Sequence, residues 1–129
     1  MYNDPVEQAK RFRETDEQNT ERRAAILGVQ YIDLRSTEQT MPLILDMMSI
    51  ADMYTYKMVP MRKPTETSPA LYAITLSTPE SKLKEINDAA TANQISVQYR
   101  LISDSSFKAL MLRYDPPKEV VYHNVEISS

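Results

Sequence analysis

Apolar positions are sparse at the start of the chain, dense over residues 41–61 and regularly spaced afterwards. The dense stretch reads MPLILDMMSIADMYTYKMVPM. Between residues 41 and 54 its strongly polar breaks, Asp46, Ser49 and Asp52, fall three apart, which is a helical spacing. Pro42 suits a first helical position, where its missing N–H costs nothing, and Ser49 can cap a turn that holds Asp52 three residues on. The segment reads as one helix with a thin polar stripe or as two short helices broken at Ser49. Its polar face is too narrow for a one-sided surface helix, so it is either core or apolar surface kept for a partner. Residues 56–60 then alternate and end in Pro60, the pattern of a short strand.

On either side the pattern predicts further elements. Asp4-Pro5-Val6-Glu7 has the form of a helix start. The charged run KRFRETDEQNTERR behind it carries only Val6, Ala9 and Phe12 on one side, and reads as a solvated, frayed arm. A second helical piece runs from about Glu21 to Leu27, with Gly28 as its left-handed terminator. Residues 29–34, VQYIDL, predict a short strand. RKPTETSP is a loop, and LYAITL, apolar on both faces, is a central strand. Thr78-Pro79-Glu80 opens a helix with Leu83, Ile86, Ala89 and Ala90 inward, which Asn93 ends. Residues 95–102 alternate as a half-exposed strand. Asp104 caps a last helix with Phe107, Leu110, Met111 and Tyr114 inward, stopped by Asp115-Pro116-Pro117. The tail KEVVYHNVEISS alternates loosely as an edge strand or a linker. The sum is α+β: a two-layer α/β sandwich with a small mixed sheet, in the order α-β-α-β-β-α-β-α before the tail. Three regions result, an arm over 1–20, a domain over 21–116, and a linker or edge strand over 117–129.

Composition narrows the chemistry. A chain of 129 residues is about one domain. Fifteen basic and 18 acidic residues give a net charge of −3, so no global basic field points to nucleic acid. No cysteine is present, which excludes a thiol nucleophile and a disulfide framework and fits a reducing cytoplasm. No apolar run approaches membrane-spanning length, and the first residues are the opposite of a signal peptide. The single glycine, Gly28, cannot build a phosphate-cradling loop, so the sequence argues against nucleotide hydrolysis within this chain. His123 is the one histidine, leaving no His-based metal site or triad. Asp46 and Asp52 do not share a helix face, and capping and solvation explain them. Eight tyrosines and eight methionines suit packing and adaptable contacts. The expectation is a binding module with no catalytic residues, no cofactor and no metal.

Five fragments, in order, support a comparison. They are the run from Ile26-Leu27-Gly28 to Asp33-Leu34, then Pro42-Leu43-Ile44-Leu45, then Tyr56 to Met61 with Pro60, then Thr78-Pro79, then Phe107 to Tyr114 with Arg113-Tyr114 at its end. Together they resemble the N-terminal domain of type II secretion and type IV pilus assembly ATPases, over about Ala24 to Tyr114. The chain departs from that pattern at Gln30 and Ser49, where the family has proline, and at Asn93-Gln94, where glycine is common.

The resemblance implies a non-catalytic docking and regulatory domain. It would attach an ATPase motor, carried in cis beyond this chain, to the cytoplasmic part of an inner-membrane secretion or pilus component. The protein would be cytoplasmic and bacterial, peripheral to the membrane through partners, without direct insertion and without nucleic acid. A hexamer is implied only for the full-length ATPase. One alternative is a cyclic di-GMP-binding regulatory domain of the same fold, but the Arg-Leu-Gly start and repeated glycines of that branch are missing. A second is a free-standing nucleic-acid-binding α/β domain, opposed by the charge. Leu43, Ile50 and Tyr54 stand where the family pattern resembles charged positions. On one continuous helix they form with Met47 a single stripe, the expected partner surface.

Overall fold

The computed structural model describes residues 4–118. Its elements are α1 (Pro5–Leu27), α2 (Ile50–Tyr56), β1 (Met58–Arg62), β2 (Ala70–Ile74), α3 (Glu80–Ala92), β3 (Val97–Leu101) and α4 (Asp104–Tyr114). This is an α+β fold around a small mixed sheet, with β1 antiparallel to β2 and β2 parallel to β3. The predicted strand over residues 29–34 is reduced to one parallel bridge between Tyr31 and Leu101. The Ile32 N–H donates to the Leu101 carbonyl and the Leu101 N–H to the Gln30 carbonyl, so the segment lines the outer edge of β3. The tail from residue 119, expected as a strand or linker, lies outside the described residues.

Strand alternation divides the core in two. Val59 and Ala73, with Ile102 just past β3, pack with Leu34, with Met53 of α2 and with Phe107, Leu110, Met111 and Tyr114 of α4. Met58, Tyr72, Ile74 and Leu101 face the other way, against Ala24 of α1 and against Leu83 and Ile86 of α3. Helices therefore lie against both faces of the sheet. LYAITL is apolar at both parities for this reason.

The region from 41 to 49 is not helical. Of the two readings of residues 41–54, only a helix starting after Ser49 forms, and Ser49 Oγ accepts the Asp52 N–H at 3.1 Å as its cap. Ahead of it the chain has no single face to bury. Leu43 packs on the Leu34 cluster, Met47 on the Tyr72 cluster and Met48 on both. The Ile44 N–H donates to Tyr114 Oη at 2.9 Å rather than to a helical carbonyl. An α-helix would gather these side chains on one stripe; serving two cores requires an irregular path.

Helix ends follow the sequence with two substitutions. Asp4 caps α1 with Pro5 in its first turn, and Gly28 ends it at φ 74°. Thr78 does not cap α3, whose N-cap is Pro79. Its hydroxyl donates instead to the Lys57 carbonyl at 2.8 Å and accepts from the Thr75 N–H at 3.0 Å. Ser103, not Asp104, caps α4.

The charged arm is the largest departure. α1 is one helix of 23 residues, crossing residues 20 and 21 without a break. Its middle carries a polar network buried against α4. Glu17, 2% exposed, accepts from Arg13 Nε at 2.9 Å and from the hydroxyls of Tyr31 and Ser103. The Arg13 guanidinium also grips Glu38, 5% exposed, through two hydrogen bonds of 2.9 and 2.7 Å, and Ser106 donates to the same carboxylate. Asp16 accepts from the Ser105 N–H at 3.0 Å, within the first turn of α4, where a carboxylate is favoured. Arg13 is held protonated above its already high range, chiefly by the Glu38 hydrogen bonds. Every buried side-chain polar atom among the described residues has a partner. Composition alone makes this stretch look solvated, because fork-geometry pairing with residues 25 and more positions away leaves no local trace.

Two truncations separate arm from core. Removing residues 1–12, all exposed where described, is expected to shift the thermal midpoint by no more than about 3 °C, as for surface changes. Removing residues 1–20 is expected to abolish cooperative unfolding; a retained sharp transition would show that the network is dispensable. Arg13→Ala leaves Glu17 and Glu38 buried without their cation and is expected to lower stability by about 3 kcal/mol in urea titration. Arg13→Lys, which keeps the charge without the fork, falls between.

The α3 seam gives a pH dependence. Tyr99 stacks on Tyr72 with ring centroids 6.1 Å apart and donates to Asn87 Oδ1 at 2.9 Å. Burial pushes its phenol up to about 12. The folded state thus keeps a proton that the unfolded chain releases near pH 10, so this contribution is whole below about pH 10 and is lost as the pH approaches 12. Thermal midpoints measured from pH 9 to 11.5 should fall, and Tyr99→Phe should flatten part of the slope.

Candidate docking surface

The four residues expected to form one stripe do not share a helix, because α2 begins only at Ile50. Leu43 and Ile50 are half-buried against the Leu34 cluster. Met47 is half-buried on the opposite core and lines a hollow of about 280 Å³ with Tyr72 and Ile86. Tyr54 alone is exposed, at 40%, and its hydroxyl donates to Asp115 Oδ2 at 2.8 Å, which raises its pKa. The single-helix geometry behind the expected surface is therefore corrected: Leu43 and Ile50 rest on one core, Met47 on the other, and Tyr54 stands open.

A different surface is built around Tyr54. A groove of about 570 Å³ runs between α2 and α4 and is mainly apolar. Tyr54 of α2 forms one wall; Phe107, Met111 and Leu112 of α4 form the other. Leu112 is 60% exposed although it sits in a helix whose other large apolar residues are buried. Lys57 and Lys108 line the groove too, with Asp104 as the carboxylate among its lining residues. Neither lysine makes an ion pair among the described residues.

Lys57 is placed there by the backbone. It caps α2 at φ 56°, ψ 49°, the left-handed region. Glycine holds that conformation freely, whereas a side chain costs about 1 kcal/mol. The Thr75 and Thr78 hydroxyls hold its carbonyl at 3.2 and 2.8 Å. The ammonium consequently lies over the Phe107 ring, 5.8 Å from its centroid. The sequence contained a trace of this surface: Leu112 is an apolar residue off the Phe107, Leu110, Met111, Tyr114 stripe. Lys57 left no such trace, since its left-handed conformation follows from tertiary contacts to Thr75 and Thr78.

No group of three His, Cys, Asp or Glu among the described residues is arranged to hold a metal ion. No helix of the described residues is long and apolar enough to cross a membrane. What the groove can do chemically is bind: it offers apolar area, two cations and one aromatic hydroxyl.

No family profile matches the chain, and no curated protein matches it. Its structure is similar to that of the N-terminal domain of XpsE, solved in crystal form I4122, at a TM-score of 0.52 and 14% sequence identity. The match covers 86% of this chain and 86% of that one. The chain thus shares the fold of the N-terminal domain of XpsE.

Proposed function

We propose that the chain is a non-catalytic N-terminal docking and regulatory domain of a type II secretion or type IV pilus assembly ATPase. It holds the motor, carried in cis, to the cytoplasmic domain of an inner-membrane component, and the full-length protein assembles as a hexamer. The observation that carries the reading is the fold likeness to the XpsE N-terminal domain over 86% of both chains. The sequence pattern supports it from a separate direction. The fragments that resemble the family fall at structural joints, with Gly28 in the turn that ends α1, Pro60 in the edge strand β1, and Arg113-Tyr114 closing α4. Such a domain contributes rigidity and a surface rather than chemistry, in keeping with a chain whose one glycine excludes a phosphate loop.

Isothermal titration of this chain against the cytoplasmic domains of the inner-membrane secretion and pilus components of its own organism tests the reading. A one-to-one complex with Kd of about 10 μM or tighter is expected for one of them. Absence of heat for every component at about 100 μM would overturn it. In the same preparation cyclic di-GMP is expected to leave the thermal midpoint unchanged; a ligand at a hundred times its Kd would add about 2.7 kcal/mol and be plainly visible.

A further inference from the structure

We propose that the groove between α2 and α4 receives an acidic amphipathic helix from the partner protein. This rests on the docking reading for the partner's place in the cell, but its chemistry is argued from the groove. The walls are two helices, whose backbone groups are satisfied internally. An extended segment would find no ladder there and would bury unpaired N–H and C=O groups, whereas a helix brings its own hydrogen bonds and can lay an apolar face between Tyr54 and Leu112, both exposed. Its charge follows from the lining. The groove's lining carries Lys57 and Lys108, neither in an ion pair among the described residues, with Asp104, and the Asp115 carboxylate beside the Tyr54 wall already accepts from that residue's hydroxyl. Two cations without ion-pair partners select carboxylates and disfavour a basic ligand. The placement of Lys57 adds to this. A lysine stands in a left-handed position that glycine occupies without strain, and its ammonium is aimed over the groove's aromatic ring.

The test uses the 129-residue chain and a fluorescein-labelled helical peptide with leucine on one face and glutamate on the other. A lysine-for-glutamate copy of the peptide and phosphatidylglycerol vesicles serve as comparisons. The acidic peptide is expected to bind, more weakly in about 0.5 M salt, and the lysine copy at least about tenfold more weakly. The double variant Lys57→Gly with Lys108→Glu should raise the Kd at least about tenfold without lowering the thermal midpoint, since glycine relieves the left-handed strain. Leu112→Glu, at an exposed helical position, should do the same.

Equal binding of the two peptides, or unchanged affinity in these variants, overturns the proposal. So does lysine-dependent capture by vesicles in place of the peptide, which assigns the groove to a lipid surface. A chain lacking residues 119–129 that binds more than about tenfold tighter assigns it to the chain's own end, and a dimer dissolved by Leu112→Glu assigns it to a second copy; either overturns it. Repeating the variants against the membrane component's cytoplasmic domain separates the two proposals. If that domain binds wild type and variants alike, the groove proposal fails and the docking function stands. If the acidic peptide binds through the lysines while no cytoplasmic domain binds at all, the function fails and the groove chemistry stands.

Discussion

The Arg13 guanidinium, held between two buried carboxylates, is the contact on which the rest of the arrangement depends. It ties three parts of the chain that lack a large shared apolar surface: the middle of α1, the turn at Glu38 and the start of α4. Burying Glu17 and Glu38 would be costly alone, because a desolvated carboxylate without a cation loses far more hydration than a surface pair regains. The serine hydroxyls of α4 and the Tyr31 phenol complete the set, and they act on register as much as on energy. Ser103 both caps α4 and donates to Glu17, so a helix that started elsewhere would cost a buried carboxylate one of its three donors. α4 is thereby fixed in rotation, with Phe107 and Leu110 inward and Leu112 out.

The groove follows from that rotation together with the path of residues 41–57. The segment serves both cores before it enters α2, which shortens α2 to seven residues and ends it at a left-handed lysine. The Thr75 and Thr78 hydroxyls hold that lysine's carbonyl, so the turn between β2 and α3 governs where a cation sits on the opposite side of the sheet. Local strain at one residue is offset by two hydrogen bonds from another element.

Much of the fold was legible because local signals agreed with tertiary needs. The cap at Asp4, the glycine stop at Gly28, the Ser49–Asp52 cap and the inward stripe of α4 all depend on neighbours within a turn or two. What was not legible depends on distance. Residues 41–49 have helical spacing of polar breaks, yet two cores compete for their side chains and the helix is lost. The α1 run reads as a solvated face until Glu38 and Ser103 are brought to it. Thr78 looks like a helix cap until its oxygen accepts from the Thr75 N–H rather than from a helix N–H, with its own proton given to the Lys57 carbonyl. For the same reason the expected Leu43, Met47, Ile50 and Tyr54 stripe was the least secure element: it required an unbroken helix through Ser49, a residue already recognisable as a start signal. Tyr54 is the one member of that set that opens onto the groove.

One feature of the sheet bears on how any partner can approach. β1 is the outer strand, and it carries Pro60, which has no N–H to offer, with an irregular register between Pro60 and Arg62. The opposite margin is occupied where Tyr31 bridges Leu101. Among the described residues neither margin presents an uninterrupted row of free backbone groups, which disfavours strand addition from a neighbouring chain. Recognition at this domain then falls to side chains, and copies of it meeting edge to edge find little to zip onto.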